Sequence, residues 1–317
     1  MIETAELTRR YGEQLAVDRL NLTVAEGERC ALLGPNGAGK STTILMLTTL
    51  LRPTSGTAAV AGFDIRRDPA RVRRSIGVVF QEPSSDDTLT GYENLRLHGM
   101  LYGMPTALRE DRIRELLELV ELTARRDDVV KHYSGGMRRR LEIARGLMHR
   151  PKVLFLDEPT LGLDPQSREH IWGYIDRLAR EHRISLILTT HYMEEAERLC
   201  DRVAIIDAGR IIAYDAPDRL KRLMGGDVVS LVAAELPVER LRALPYVQTI
   251  ERDGGAWSLT VTDAGAHLAE ILATAGPVTS AAVRSPTLND VFMHFTGRVM
   301  REDAAEGGWA ERSMRYR

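Results

Sequence analysis

The 317-residue sequence predicts an α/β core followed by a small α+β domain. The pattern G-x-x-x-x-G-K-S occurs at Gly34-Pro35-Asn36-Gly37-Ala38-Gly39-Lys40-Ser41, with Thr42 next. It lies between the apolar run Cys30-Ala31-Leu32-Leu33 and a helical run opening at Thr43-Ile44-Leu45-Met46-Leu47. Three further apolar runs, 76–80, 153–156 and 185–188, are separated by helical patterns and deliver polar groups at their ends: Gln81, Asp157-Glu158 and Thr189-Thr190-His191. Past Gly225-Gly226, strand and helix patterns restart. Apolar strands separated by helices are the pattern of a parallel sheet, and the carboxyl ends of its strands are where such a sheet holds a ligand.

Residues 2–24 alternate short apolar stretches with turns, so Tyr11-Gly12 falls in a loop between two strands. The Tyr11 ring is either a face for an adenine to stack on or an ordinary strand-end tyrosine. The loop over 34–42 lets backbone N–H groups wrap a phosphate chain, with Lys40 at its outer phosphates and the Ser41 hydroxyl on Mg²⁺. The helix behind it turns the positive end of its dipole to the anion. Pro53-Thr54-Ser55-Gly56 marks a turn, 58–62 a strand, and 71–74 a basic, solvated face. Gln81, at the end of its strand, is a candidate for Mg²⁺ or the attacking water.

Thr90-Gly91-Tyr92-Glu93 has the T-x-x-E form of a capping box and starts a helix. A second helix over 108–122 places Ile113, Leu116, Leu117 and Val120 at i, i+3, i+4 and i+7. Two helices without a strand between them form a helical insert, which continues to Tyr133-Ser134-Gly135-Gly136-Met137. There a third helix opens, with Leu141, Ala144 and Met148 on one face and Pro151 as its stop. Ser134-Gly135-Gly136 is either a second anion site or an N-cap with a glycine turn. Asp157 and Glu158 follow four apolar residues, one carboxylate suited to a metal shell and the other to orienting or deprotonating a water. Leu161-Gly162-Leu163-Asp164 adds another carboxylate, and a helix from Ser167 onwards turns Ile171, Tyr174, Ile175 and Leu178 to the core. His191 stands where it can touch a γ-phosphate, or is structural.

At 44% hydrophobic and 28% charged, the composition is that of a globular protein. A formal net charge of -2, with no basic run longer than Arg138-Arg139-Arg140, gives no reason to expect nucleic acid. No run of about 18 apolar residues is present, and Met1-Ile2-Glu3 does not begin a secretory signal. Cys30 and Cys200 fit no metal or disulfide spacing, which points to a reducing compartment. Lysine occurs only at 40, 131, 152 and 221; the arginine bias reads as a GC-rich genome rather than binding chemistry.

Taken in order, these motifs resemble the nucleotide-binding subunit of an ABC transporter over residues 1–222, and within it the stand-alone ATPase subunits of daunorubicin-resistance-type drug exporters. The run from Ser134 to Arg145 and the ending Pro286-Thr287-Leu288-Asn289-Asp290-Val291-Phe292 carry the narrower likeness. Tyr133, where leucine is commoner, and Met137, where glutamine is frequent, are small departures. The resemblance implies a P-loop NTPase core of the ABC type with an antiparallel β subdomain and a helical insert over 84–150. It implies ATP and Mg²⁺ as ligands and a homodimer with ATP sandwiched between the phosphate loop of one copy and Ser134-Gly135-Gly136 of the other. Tyr11 would stack on adenine, Lys40 would neutralise the β/γ-phosphates, and Ser41, Gln81 and Asp157 would hold Mg²⁺. Glu158 would act on the water, His191 would contact the γ-phosphate, and Asp164 would communicate across the dimer. The partner implied is a separate polytopic membrane subunit, and the location is peripheral on the cytoplasmic face of the membrane.

The second domain, 227–297, is expected to hold strands at 228–232, 257–262 and 278–283 and helices at 238–244 and 267–275. A helix stripe at Leu288, Val291, Phe292 and Phe295 follows, and 298–317 is expected to be a mobile tail. This domain either serves the dimer or the membrane subunit, or is a passive appendage. A soluble ABC-type ATPase acting on ribosomes or DNA is the competing function; against it stand a single cassette, no long coiled-coil insertion and no basic surface. A small-metabolite kinase fits neither the Ser134 turn nor the strand ending Asp157-Glu158. The cargo is not legible, because cargo contacts belong to a membrane subunit.

Overall fold

The structure, a computed structural model, describes residues 1–253 and 255–296. The tail expected at 298–317 lies outside the described residues. The chain forms two compact units, divided between Tyr214 and Asp215.

The first unit opens with a hairpin of β1 (Ile2–Tyr11) and β2 (Gln14–Val24). Then come β3 (Arg29–Leu33), α1 (Lys40–Leu47), β4 (Ser55–Val60), β5 (Phe63–Asp64), α2 (Pro69–Ser75) and β6 (Ile76–Val79). The insert is α3 (Gly91–Leu101), α4 (Thr106–Leu119) and α5 (Gly135–Leu147). After it come β7 (Val153–Asp157), α6 (Pro165–His182), β8 (Ser185–Thr190), α7 (Met193–Leu199), β9 (Arg202–Asp207) and β10 (Arg210–Asp215). The strands form two sheets. One is antiparallel, in the order β2-β1-β4-β5; the other runs β10-β9-β3-β8-β7-β6, with β9, β3, β8, β7 and β6 parallel.

The burial patterns explain the division. In β2, Leu20, Leu22 and Val24 are buried while Arg19, Asn21 and Thr23 face solvent, the alternation of a half-covered antiparallel strand. Every residue of β7 and β8 is buried, as a strand covered on both faces requires. The registers Leu33↔Thr190, Asp157↔Thr189 and Val79↔Leu156 bring the carboxyl ends of β3, β8, β7 and β6 to one edge.

The Thr90 capping box forms in both directions: Glu93 N–H donates to Thr90 Oγ1 (3.1 Å) and Thr90 N–H to Glu93 Oε2 (2.8 Å). Ile113, Leu116, Leu117 and Val120 are all buried. Tyr102 stacks on His149 at 3.8 Å, and burial depresses the neighbouring His98 to a pKa of about 4. Cys30 and Cys200 are free thiols, both buried, and burial raises both, Cys30 to about 12.

Some expectations need correction. The strand expected at 58–62 stops at Val60, because Ala61 (φ 53°) and Gly62 (φ 83°) are left-handed and turn the chain into β5. Helix α7 and the β9–β10 hairpin, turned at Ala208-Gly209, were not anticipated.

The second unit contains α8 (Pro217–Arg222), β11 (Asp227–Val232), α9 (Val238–Arg242), β12 (Val247–Asp253), β13 (Ala256–Val261), α10 (Ala264–Ala275), β14 (Ser280–Arg284) and α11 (Leu288–Thr296). Its sheet is antiparallel in the order β12-β13-β11-β14. Val229, Leu231, Leu241, Leu259, Val261 and Ile271 form its core. Asp290 accepts from Arg284 Nη2 (2.8 Å) and from Thr287 N–H (2.7 Å), which ties β14 to the start of α11. On the α11 stripe Leu288, Val291 and Phe292 are buried, whereas Phe295, expected with them, is 43% exposed. Strand β12 was not anticipated. Among the described residues no helix is long and apolar enough to cross a membrane.

Candidate functional site

The loop between β3 and α1 has the glycines its path demands. A Cβ at Gly34 would stand 2.2 Å from the Ile206 carbonyl oxygen, and one at Gly39, where φ is 103°, 2.4 Å from that of Ala16. The β9–β10 turn holds the loop from outside: Gly209 N–H donates to Ala38 O (3.0 Å) and Asp18 N–H to Gly209 O (2.9 Å). Asn36 and Gly37 form the exposed tip, Pro35 O accepts from Ala38 N–H (3.2 Å), and Thr42 is half-buried in the first turn of α1. Lys40 is buried; its ammonium donates to Gly34 O (2.7 Å) and Pro35 O (3.1 Å) and stands 3.5 Å from Glu158 Oε1.

The end of β7 supplies the acids. Asp157 Oδ1 accepts from Thr189 Oγ1 (2.5 Å) and Ser41 Oγ (3.1 Å), which joins β8, β7 and the start of α1. Burial raises the Asp157 carboxyl above its ordinary range, and the Glu158 charge adds to the rise. Glu158 Oε2 meets His191 Nδ1 at 2.8 Å. Glu158 itself is left-handed, at φ 48°. Thr189 Oγ1 also accepts from Glu158 N–H (3.0 Å), so Lys40, Ser41, Asp157, Glu158, Thr189 and His191 are one contiguous hydrogen-bonded and ion-paired group. It presents a cation beside a phosphate loop, two carboxylates and an imidazole, the parts needed to neutralise a phosphate chain and deprotonate a water.

Gln81 is half-buried, two residues beyond β6 on the same sheet edge. Ser134, Gly135 and Gly136 form a second group: Ser134 Oγ caps α5 by accepting from Met137 N–H (3.2 Å), while Gly135 and Gly136 pack towards Leu163 and Ser167. Asp164 caps α6, accepting from Ser167 N–H (2.9 Å), and hydrogen bonds from the Ser167 side chain and backbone lower its carboxyl pKa. Ser134, Gly135 and Asp164 are exposed. Tyr11 ends β1 with the Arg9 guanidinium 4.5 Å from its ring centre.

Four residues to which the sequence assigned no role hold the site. Thr189 bonds to Asp157, as above. Arg139 reaches from α5 to carbonyls at the ends of β6 and β7. Glu142, one turn on, accepts from Ser84 N–H (3.1 Å) and Ser85 N–H (2.6 Å) in the segment after Gln81. Glu195 is fully buried and accepts from Thr160 Oγ1 (2.8 Å) and Trp172 Nε1 (2.9 Å); burial raises its pKa. Their one sequence signal was a charged or polar residue on an otherwise apolar helix or strand face.

Residues 17–161 match the family described as ABC transporter, and 216–296 the C-terminal domain of DrrA1-3-like ATP-binding proteins. The daunorubicin/doxorubicin resistance ATP-binding protein DrrA of Streptomyces peucetius is 42% identical over 314 residues, covering 96% of this chain and 95% of that protein. This chain belongs to the ABC transporter family. As an ABC ATPase, it binds and hydrolyses ATP. The ABC subunit is also 41% identical over 301 residues to the Nod factor export ATP-binding protein I of Ralstonia nicotianae, covering 93% of this chain and 94% of that protein. A dimeric ATP-binding cassette in a post-hydrolysis state with ADP and Pi superimposes with a TM-score of 0.61 at 27% identity, over 68% of this chain and 98% of that one.

Proposed function

We propose that this ATPase powers an exporter of drugs or antibiotics through a separate polytopic membrane subunit, on which it sits peripherally at the cytoplasmic face. The observation that carries the ATPase chemistry is the complete cluster of Lys40, Asp157, Glu158 and His191 against the phosphate loop, and export is carried by the relatives named for drug resistance and Nod factor export. Glu158 deprotonates or orients the attacking water; Lys40 neutralises the β/γ-phosphates; His191 steadies Glu158 and contacts the γ-phosphate. Ser41, Gln81 and Asp157 offer hydroxyl, amide and carboxylate oxygens, a hard set that suits Mg²⁺, and a cation would relieve the burial cost of the Asp157 charge. Bound there, Mg²⁺ supplies positive charge to the phosphates.

Two copies bind ATP between them. The exposure of Ser134, Gly135 and Asp164 supports this, since these groups are free to meet a nucleotide held by a partner's phosphate loop, and so does the dimeric cassette the chain resembles. Tyr11 stacks on the adenine. The nucleotide-binding domain spans 1–222 in sequence and the accessory domain 227–297, with α8 at the end of the first grouping in space with the second unit. The similar proteins are named for daunorubicin resistance and for Nod factor export, so the cargo follows the membrane subunit rather than this chain.

Affinity capture of the tagged full-length chain from gently solubilised cells tests the reading. A polytopic membrane protein retained in near-equal amount is the expected result. Ribosomal or DNA-repair components in its place would leave the ATPase and remove the transport role.

A further inference from the structure

In a strand, successive carbonyls point to opposite sides. At the end of β7 they do not: the carbonyls of Asp157, Glu158 and Pro159 converge on the Arg139 guanidinium, which donates from Nη2 to Asp157 O and Glu158 O (both 3.1 Å) and from Nε to Pro159 O (2.6 Å). Nη1 donates to Phe80 O (2.5 Å), the residue before Gln81. The convergence requires the chain to leave the strand at Glu158, which it does through the left-handed conformation that side-chain-bearing residues rarely adopt.

We propose that Arg139 is a positioning residue for ATP hydrolysis, its guanidinium fixing the left-handed turn that aims the Glu158 carboxylate at Lys40 and His191.

Three features support the role. Glu158 N–H donates to Thr189 O (3.1 Å) and Oγ1 (3.0 Å), so Thr189 holds the peptide before Glu158 and Arg139 the peptide after it. That over-determines a backbone conformation which would otherwise relax. Next, Arg139 is buried yet makes no ion pair among the described residues; its donors go to main-chain carbonyls at the catalytic edge, an arrangement that burial opposes, pushing its pKa down to about 10. It still carries its charge at neutral pH. Finally, α5 grips the segment around Gln81 from both ends, through Arg139 on Phe80 and through Glu142 on Ser84 and Ser85. The helix that starts at Ser134 therefore sets the backbone on either side of Gln81 and after Glu158. A lysine has three donors on one nitrogen and cannot span this array as a planar fork does.

The inference rests on Glu158 acting on the attacking water, and the experiment separates the two. In the full-length chain, Arg139→Lys, Arg139→Gln, Glu158→Gln and the double variant Glu158→Gln/Arg139→Lys are compared for kcat and KM of ATP hydrolysis, binding of a fluorescent ATP analogue, and thermal midpoint. Both Arg139 variants are expected to lose about 100-fold in kcat, the scale of an ångström-level misplacement. Nucleotide affinity stays within about 3-fold, because Glu142 still holds Ser84 and Ser85 beyond Gln81 and ground-state binding does not pass through Glu158. In the Glu158→Gln background, Arg139→Lys costs nothing further, since it acts through the group already removed. Wild-type kcat in Arg139→Lys, equal loss of kcat and affinity, additive loss in the double variant, or failure of both Arg139 variants to fold would each overturn the role. Wild-type turnover by Glu158→Gln would instead remove the assignment of Glu158 itself.

Discussion

At the carboxyl edge of the six-stranded sheet, Lys40, Asp157, Glu158, Thr189 and His191 are all buried, and each is bonded or ion-paired to another member of the group. The core of the C-terminal unit is Val229, Leu231, Leu241, Leu259, Val261 and Ile271, and its buried polar residues, among those described, are Thr260 and Asp290. A buried charge or hydroxyl without its partner is expensive, so the first region specifies residue identity almost atom by atom. An apolar core specifies volume and pattern, and tolerates exchange among side chains of similar size. The first region should thus answer to chemistry at constant shape, the second to shape alone.

Glu158→Gln changes chemistry and almost no volume. Its expected effect is a loss of about 10²- to 10⁴-fold in turnover, the range for a general base, with ATP binding retained; steady-state hydrolysis and nucleotide titration measure both. Undiminished hydrolysis would break the contrast. Phe292→Ala does the reverse. Phe292 is 2% exposed on α11, and its truncation should destabilise the C-terminal unit by about 3–5 kcal/mol in denaturant unfolding while ATP hydrolysis continues. Loss of hydrolysis in folded Phe292→Ala would show that the two units do not answer separately.

The helical insert sharpens the contrast at smaller scale. Thr90→Ala removes one half of a capping box and should lower stability by about 1 kcal/mol, read as a shifted urea midpoint with unchanged slope. Acid probes the same insert without a substitution. Burial depresses His98 from 6.5 to about 4, so between these values the unfolded chain binds a proton that the folded chain refuses. The His98 contribution is therefore complete above pH 6.5 and is lost as pH falls towards 4. His98→Gln should flatten this part of a stability-versus-pH curve, leaving the slope from His149, which burial also depresses.

The same contrast explains how much was legible. The phosphate loop, the Thr90 box, the α4 stripe and the acids after 153–156 are local patterns, each set by neighbours a few residues away. Arg139 was not legible in its role. Read along the chain it is one of three consecutive arginines, and nothing in α5 tells that its partners are carbonyls at 80 and 157–159. Glu195 and Thr189 escaped for the same reason: their partners, Thr160, Trp172 and Asp157, come from other elements. The β9–β10 hairpin had a signal in Ala208-Gly209 between two apolar runs; β12, whose Val247 and Ile250 are three residues apart, lacks the alternation of a strand. Phe295 shows the limit of periodicity, which finds the face of a short helix but not where its cover ends.

The two thiols also give the molecule a chemical clock. Cys30, in the central strand β3, and Cys200, at the end of α7, are buried with raised pKa values, so both stay protonated and shielded at neutral pH. An alkylating reagent can reach the β3 sulfur only when the sheet opens. The labelling rate of Cys30 in the native protein then times that opening, and the slowing of that rate by ATP would report how far nucleotide holds the strand shut.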